Sequence, residues 1–350
     1  MQSNNNIYKS TTMLSEGPAK LLDIINGMAK TRALYTAAKL NVAHAIPIDG
    51  KRSSDEIANE VGCDKSALYR LLRALTQIGV FHECEDQDGV FEHNSASLGL
   101  LQENLRDYVL FNGQSATYRA WEVLPVSIET GTSSLSKALD GLEFFDYLET
   151  RPEEALVFGR AMTAITTKMA PHLVARTDFS GFDTVADLGG SEGILLNAVL
   201  KANPSIKTGI NFDLPNLIAK YQALPSRQAS LDPRFKDVGG SFFDSVPQAD
   251  LYMLKNILHD WNDESVINIF KTIIKSMKPS SKIYVFDYLV GNEKNENQTT
   301  VVWMDLKMLN FNNGKERTVK DWQEIAKQTG LTVERVETSP MVPALIVFRK

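Results

Sequence analysis

A histidine and two acidic residues near the ends of apolar segments are the first residues in this chain that could do chemistry. His259 lies in KNILHDWNDE, directly after the apolar run Leu251–Lys255. Its imidazole can titrate near neutral pH, although a lone histidine is more often structural. Asp287 follows the next apolar run, and Glu316 lies in the loop GKERT. Either carboxylate could hold the imidazole tautomer and stabilise its charged form, so this arrangement predicts a histidine base with an acidic partner.

A glycine-rich turn in TVADLGGSEG is the second group of interest. Gly189, Gly190 and Gly193 separate an apolar run from a helical pattern, and they allow a tight turn and close approach of a ligand to the main chain. A phosphate ligand favours a cation at such a turn, but Asp187 and Glu192 are acidic and no lysine is present. S-adenosylmethionine carries an ammonium and a sulfonium and no phosphate, so it suits these acids. A plain tight turn between strand and helix is the alternative.

An acid also ends the second apolar run of this region. Asp213 lies about 20 residues beyond the last glycine, the spacing at which an acid can accept the hydroxyls of a ribose. Asp187, Lys255 and Asp287 likewise lie near the ends of predicted strands. Because the carboxyl ends of parallel strands meet at one edge of a sheet, we expect these four side chains to converge there.

Strands and helices alternate from Val185 onward, which predicts an α/β fold with a mainly parallel sheet and helices on both faces. Ligands bind such sheets at the carboxyl ends of the strands. The predicted strands are Val185 to Leu188, Thr208 to Phe212, Leu251 to Lys255, Lys282 to Asp287, Thr332 to Glu337 and Ala344 to Phe348.

The first 110 residues have a different pattern. We predict a flexible arm over residues 1–17 and a helix over 18–45 that is too apolar to be exposed, so it must pack on something large. A capped helix from Ser53 or Ser54 to Val61, a helix over 65–78 and two short strands at 80–83 and 90–93 then make a winged-helix layout. This layout favours either DNA binding or packing and dimerisation, and the surplus of acidic residues around it argues against DNA.

The segment 105–175 is almost entirely helical in pattern and rich in aromatic residues. We assign Phe158, Met162 and Met308 to a pocket for a small-molecule substrate. For any one of these residues, helix–helix packing is the alternative. Residues 178–181 are the predicted hinge into the α/β domain.

Composition narrows the possible partners and compartments. The chain has 350 residues, a net charge of −6 and two cysteines. This length suits two domains, and the negative charge disfavours nucleic acid as a partner. The cysteines lack metal-binding spacing, and there is neither an apolar signal core nor an apolar run long enough to span a membrane. We therefore expect a cytoplasmic protein with no metal site and no membrane contact.

These motifs together resemble the small-molecule S-adenosylmethionine O-methyltransferases of the hydroxyindole and caffeic acid type, which include bacterial polyketide tailoring relatives. The resemblance covers nearly the whole chain. It implies a C-terminal Rossmann-like methyltransferase domain, an N-terminal winged-helix dimerisation domain and a homodimer. The matching segments are LYTAAKLNVAHAI, ALYRLLRALTQIGVF, ADLGGSEG, FDLPNLI, GGSFFDSVPQADLYMLKNILHDWNDE and DLKMLNFNNGKERT.

The resemblance also assigns roles to individual residues. The histidine of LHDW is the base in this family and corresponds to His259, while Asp287 and Glu316 correspond to its acidic partners. Trp261 is expected near the adenine or the rim of the substrate site. The predicted cofactor-binding residues are Asp187, Gly189, Gly190, Gly193, Asp213, Leu214, Ser241, Phe242, Lys255 and Trp261.

Two positions depart from the family pattern. Ser191 replaces a third glycine, and Ser241 replaces an acid that normally contacts the adenine side of the cofactor. Either the cofactor binds more weakly, or Phe242 and water hold the adenine.

The predicted organisation is an arm at 1–17, a dimerisation domain at 18–110, a helical linker lining the substrate pocket at 111–177 and a methyltransferase domain at 178–350. The leading hypothesis is methyl transfer to a phenolic or enolic hydroxyl of a small aromatic or polyketide-like metabolite. Alternatives are a non-methylating reaction such as decarboxylation, hydroxylation or a pericyclic step, and a ligand-sensing winged-helix regulator. Intact His259, Asp287 and Glu316 argue against the former, and the acidic charge balance argues against the latter.

Overall fold

The computed structural model describes residues 16–291 and 298–350, with all side chains in those ranges except those at 103, 104, 298 and 299. The chain divides into two compact units, Met1–Gln114 and Ser115–Lys350. Residues 1–15 of the predicted arm lie outside the described residues, and positions 16 and 17 belong to the first helix. Among the described helices, none is long and apolar enough to cross a membrane.

The first unit is mainly helical and carries a small antiparallel sheet with the strand order β1-β3-β2. The winged-helix layout is therefore confirmed, with β1 as a strand that the sequence analysis missed. Its elements are α1 (Glu16–Ile25), α2 (Gly27–Lys39), β1 (Lys51–Ser53), α3 (Ser54–Val61), α4 (Lys65–Thr76), β2 (His82–Glu83), β3 (Val90–Glu92), α5 (Ser95–Gly99) and α6 (Glu103–Gly113).

Local sequence explains the helix ends of this unit. The Ser53 side chain accepts a hydrogen bond from the backbone N–H of Glu56, and the Glu56 carboxylate accepts one from the backbone of Ser53, which is a complete capping box. Gly62 ends α3 in the left-handed conformation at φ 75°. The prediction of one helix over 18–45 was wrong, because α1 and α2 are separate and Asn41, at φ 58°, turns the chain into a short 3-10 helix. Asparagine adopts this left-handed conformation more readily than most residues.

The second unit begins with helices and continues as an α/β sheet, as predicted. Its elements are α7 (Ser115–Glu122), α8 (Leu124–Thr130), α9 (Leu135–Ala138), α10 (Phe144–Glu149), α11 (Pro152–Arg176), β4 (Thr184–Leu188), α12 (Ile194–Ala202), β5 (Thr208–Asp213), α13 (Pro215–Gln222), α14 (Pro225–Ser230), β6 (Phe235–Gly239), β7 (Leu251–Lys255), α15 (Asp263–Ser276), β8 (Lys282–Asp287), α16 (Gln298–Asn312), α17 (Val319–Thr329), β9 (Thr332–Glu337) and β10 (Ala344–Arg349).

The large sheet has the strand order β6-β5-β4-β7-β8-β10-β9. Strands β4 to β8 pair in parallel, whereas β10 lies antiparallel between β8 and β9. Apolar side chains on one face pack with α15 and α17 around Phe270 and Trp322, and those on the other face pack with α11 and α12 around Leu173 and Leu196. The sheet is thus Rossmann-like, and the carboxyl ends of its parallel strands share one edge.

Candidate active site

The glycine turn follows β4 directly and ends at Gly193, the residue before α12. Gly189 and Gly193 have φ angles of 74° and 78°, which glycine adopts without steric cost. At Gly190, a Cβ atom would lie 2.1 Å from Asn211 Oδ1 and 3.0 Å from Asp187 Oδ2. A side chain at position 190 would therefore displace Asn211 and Asp187.

Asp213, the last residue of β5, is hydrogen-bonded to the glycine turn. Its Oδ2 accepts a hydrogen bond of 2.8 Å from the N–H of Ser191, and its Oδ1 accepts one of 2.7 Å from the N–H of Leu214. Burial raises the pKa of Asp213, and these two N–H groups oppose that effect. Each carboxylate oxygen can accept a second bond, so Asp213 can still bind the hydroxyls of a ligand.

Carboxylates outnumber ammonium groups beside the turn. Burial raises the pKa of Asp187 to about 7, against the attraction of Lys255. Burial likewise lowers the pKa of Lys255, and the charges of Asp187 and Asp287 oppose that shift. Asp187, Asp287 and the partly buried Asp213 outnumber Lys255 at this edge of the sheet, so a positively charged ligand would favour the ionised forms of these acids.

The predicted adenine-side residues follow the carboxyl end of β6. The rings of Phe242 and Trp261 meet edge to face with centroids 6.2 Å apart, and Phe243 lies 4.8 Å from Trp261. The Ser241 hydroxyl accepts a hydrogen bond of 3.2 Å from the N–H of Phe243. Ser241 therefore stabilises a local turn, while the three rings form an apolar wall.

His259 lies in a 3-10 turn, Leu258–Asp260, just after β7. Its Nδ1 is 2.8 Å from Glu316 Oε1, and both side chains are buried. Its Nε2 is 3.8 Å from Asp260 Oδ1. When the neutral ring donates its Nδ1 proton to Glu316, the lone pair on Nε2 becomes the proton acceptor.

The surrounding acids make His259 a strong base. Burial alone would lower its pKa, but the charges of Glu316 and Asp260 outweigh burial and raise the pKa to about 9. Asp287 is buried, and neither of its carboxylate oxygens has a hydrogen-bond partner among the described residues. Burial raises the pKa of Asp287 to about 7. Glu316 is therefore the hydrogen-bonded partner of His259, and Asp287 acts on the ring through its charge.

A buried arginine holds the histidine turn in place. Arg317 Nη1 donates to the carbonyl of Leu258 at 2.9 Å, and its Nη2 donates to the carbonyl of Trp261 at 2.7 Å. Gly314 lies so close that a Cβ there would be 2.0 Å from the carbonyl oxygen of His259. The loop that supplies Glu316 thus also fixes the backbone on which His259 sits.

The predicted substrate-pocket residues lie on α11 and α16. Phe158 meets Phe144 edge to face at 5.5 Å, and Phe144 meets Phe311 of α16 at 5.7 Å. Met308 is buried on the same helix as Phe311, and Met162 is partly buried one turn after Phe158. This aromatic cluster joins α10, α11 and α16, so part of the surface of Phe158 serves helix packing.

Two family models match the chain. Residues 22–103 match the O-methyltransferase dimerisation domain, and residues 121–332 match the O-methyltransferase domain, which alone spans more than half of the chain. The chain belongs to the O-methyltransferase family.

Individual relatives of this O-methyltransferase cover nearly all of it. O-methyltransferase 12 of Dictyostelium discoideum is 33% identical over 94% of this chain and 88% of the relative. The solved structure of the mitomycin 7-O-methyltransferase MmcR is 31% identical, has a TM-score of 0.87 and covers 95% of this chain and 98% of its own. The O-methyltransferase NcsB1, solved with S-adenosyl-L-homocysteine and 1,4-dihydroxy-2-naphthoic acid, is 28% identical with a TM-score of 0.78, over 94% of this chain and 98% of its own. The predicted family and fold class are confirmed.

The cofactor of this O-methyltransferase family is S-adenosylmethionine, as predicted. The residues at the sheet edge fit it. Asp213 can accept hydroxyl groups, and Asp187 and Asp213 suit a ligand that carries an ammonium and a sulfonium.

Asp260 lies beside the histidine of this O-methyltransferase, Asn312 and Lys307 interact with Asp260, and all three were missed by the sequence analysis. Asn312 Nδ2 donates to Asp260 Oδ1 at 2.9 Å, so it orients the carboxylate nearest to His259 Nε2. Burial lowers the pKa of Lys307 to about 8, and the charge of Asp260 opposes that shift. Asp260 could have been found from its place next to His259. Lys307 and Asn312 carry no local signal, since their proximity arises from the packing of α16 on the histidine turn.

Proposed function

We propose that this O-methyltransferase transfers a methyl group to a phenolic or enolic hydroxyl of a small aromatic or polyketide-like metabolite. The observation that carries the proposal is the buried pair of His259 Nδ1 and Glu316 Oε1, 2.8 Å apart, at the sheet edge that also holds the glycine turn and Asp213. The aromatic residues of α10, α11 and α16 favour a flat, apolar acceptor. The dihydroxynaphthoic acid in the NcsB1 structure is an acceptor-like molecule of this class.

His259 is the proposed base. Its Nε2 accepts the proton of the acceptor hydroxyl, and the Glu316 carboxylate stabilises the imidazolium that forms. Asp287 adds negative charge that also favours the imidazolium. Bound S-adenosylmethionine would supply the methyl group through its methyl–sulfur bond and leave as S-adenosylhomocysteine. Most of the rate enhancement would arise from holding the reacting groups in line.

Several residues are proposed to hold the cofactor. Asp213 would accept its ribose hydroxyls, the Gly189–Gly193 turn would contact it through main-chain atoms, and Asp187 would balance its positive charge. The ring wall of Phe242 and Trp261 would cover the adenine, since no acid is available at Ser241. Leu214 and Lys255 border the same edge.

We also infer that the protein is a homodimer whose interface is formed by the first unit. The match to a dimerisation domain supports this. The first two helices support it as well, because Leu21, Ile24 and Ile25 of α1 and Met28 of α2 are each more than 60% exposed. An exposed apolar face of this kind marks an interaction surface.

A panel of acceptors tests the proposed reaction. Purified protein is incubated with S-adenosylmethionine labelled in its methyl group and with phenols, hydroxyindoles or polyketide quinones, and the products are analysed by mass spectrometry. We expect at least one acceptor to gain the labelled methyl group. The His259→Ala variant should leave the same acceptor unchanged. Products with another mass change, or no labelled product from any acceptor class, would contradict the proposal.

A further inference from the structure

A buried ion pair lies beneath the cofactor turn and has no place in the proposed chemistry. Arg227 of α14 donates two hydrogen bonds to Asp237 of β6, from Nη1 to Oδ2 at 2.9 Å and from Nη2 to Oδ1 at 2.7 Å. Each side chain is only 5% exposed. Burial alone would raise the pKa of Asp237, but its bonds to Arg227 and Asn211 hold it below the ordinary value. The pair is therefore charged, which makes its geometry strongly directional.

This pair is bonded to the turn itself. Arg227 Nε donates to the carbonyl of Glu192 at 2.8 Å. Asn211 Nδ2 donates both to the carbonyl of Ser191 at 3.0 Å and to Asp237 Oδ1 at 2.9 Å. Two successive carbonyls of the turn thus connect, directly or through one amide, to the same ion pair.

The turn contains Ser191, where the family pattern has a glycine, and the backbone at this position needs contacts that hold it in place. Ser191 has a φ angle of 52°, which lies in the left-handed region that residues other than glycine rarely adopt. A residue in this conformation persists where surrounding contacts fix it. The contacts to Ser191 are the Asn211 bond to its carbonyl, the Asp213 bond to its N–H and a 3.1 Å bond between its hydroxyl and that of Tyr221.

We propose that Arg227 and Asp237 are positioning residues for S-adenosylmethionine, which hold the carbonyls of Ser191 and Glu192 so that the Gly189–Gly193 backbone keeps its cofactor-binding conformation. The proposal depends on the cofactor and not on the identity of the acceptor. Neither side chain needs to touch the ligand, because both act through the turn.

The chain offers a matched control in Arg234. This arginine is also paired with a nearby acid, Asp232, at 2.8 Å. It donates to the carbonyls of Asn203 at 3.0 Å and Ile206 at 2.7 Å, just beyond the C-terminal end of α12. Arg227 and Arg234 therefore support opposite ends of the same helix, and only Arg227 is bonded to the turn.

Cofactor affinity measured by calorimetry separates positioning from general stability. Arg227→Lys keeps the charge but loses the paired geometry and the bond to Glu192. We expect it to weaken S-adenosylmethionine binding by about tenfold, the effect of losing one charge-assisted hydrogen bond. Arg234→Lys should lower the thermal midpoint of unfolding comparably and change the dissociation constant by less than about twofold. Equal affinities for Arg227→Lys and wild type, or equal losses in both variants, would overturn the proposal.

Hydrogen exchange provides a second measurement without any ligand. The amides of residues 189–193 should exchange faster in Arg227→Lys than in Arg234→Lys, since only the former loosens the turn. If Arg227→Lys does not fold, Asp237→Asn takes its place, because asparagine keeps an acceptor for Asn211 and loses the charge that orients Arg227. Unchanged exchange at the turn together with wild-type affinity in Asp237→Asn would contradict the proposal in the same way.

Discussion

At the scale of single residues, the proposed active site is an imidazole among carboxylates. Burial would favour neutral His259, yet Glu316 and Asp260 raise its pKa to about 9. The proposed base must be neutral to accept a proton, and a pKa of about 9 leaves most His259 side chains protonated near neutral pH. The same raised pKa makes the neutral form a stronger base.

The rate should therefore depend on pH with a definite sign. We expect kcat/KM to rise with pH and to level off above about 9, as His259 loses its proton. Glu316→Gln removes the nearest negative charge, so the pKa of His259 falls and the rising limb moves to lower pH by at least about one pH unit. The maximum rate should fall as well, because the imidazolium is less stabilised.

Glu334→Gln is the control for this pH profile, since Glu334 is a surface residue of β9 paired with Lys282. It should leave the profile unchanged. A rising limb that stays in place in Glu316→Gln would show that Glu316 does not set the protonation of His259.

The sequence predicted some of these residues and not others, for a physical reason. The sequence offered Asp287 and Glu316 as acidic partners of His259, because Asp287 ends the next predicted strand and Glu316 lies in the loop GKERT, and the family resemblance implies the same roles. The hydrogen-bonded partner, Glu316 rather than Asp287, depends on the path of the loop after α16. Arg227 and Asn312 were missed because each is polar, lies in an ordinary helical segment and meets its partner only through tertiary packing. The individual roles of the predicted site residues stay predictions.

At the scale of elements, the glycine turn is the proposed cofactor site. The turn would contact the cofactor mainly through main-chain atoms. The packing around its backbone therefore affects binding as much as any single side chain does. Gly190 is the tightest position, since a Cβ there would meet Asn211 and Asp187.

Gly190→Ala should weaken S-adenosylmethionine binding by more than about tenfold, because the added methyl group displaces Asn211 and Asp187, which pack against the turn. Gly159→Ala is the matched control. Gly159 lies within α11, and a Cβ there meets nothing within 4 Å. It should stabilise the fold by about 0.5 to 1 kcal/mol without changing cofactor affinity. Calorimetry on both variants decides the point, and wild-type affinity in Gly190→Ala would show that the packing of Asn211 and Asp187 against Gly190 does not shape the cofactor site.

Element boundaries followed from the sequence where caps and glycines mark them. Ser53, Glu56 and Gly62 fixed α3, and the apolar runs fixed five inner strands of the large sheet. Strands β1 and β6 were missed because KRS and FKDVG are short and polar. Both are edge strands, which pair with a neighbouring strand on one side only. The break between α1 and α2 was missed because apolar spacing alone does not show where a helix bends.

At the scale of the whole molecule, the first unit is the proposed dimer interface. Full-length protein should scatter light as a dimer at micromolar concentration. Ile25→Glu on α1, where Ile25 is 71% exposed, should shift the protein toward the mass of one chain, because a buried charge without a partner destabilises an interface. Met341→Glu changes an equally exposed apolar residue of the second unit and should leave the dimer intact. If wild-type protein scattered light with the mass of a single chain, the proposed homodimer would be wrong.

The kcat of His259→Ala with an identified acceptor tests the central claim most directly. If His259 Nε2 takes the hydroxyl proton, removing the imidazole should lower kcat by about 100- to 10,000-fold, the usual contribution of a general base. The dissociation constant of S-adenosylmethionine should change by less than about twofold, since the ring faces the acceptor in the proposed mechanism. A variant that keeps more than about a third of the wild-type kcat would contradict the assignment of His259 as the base.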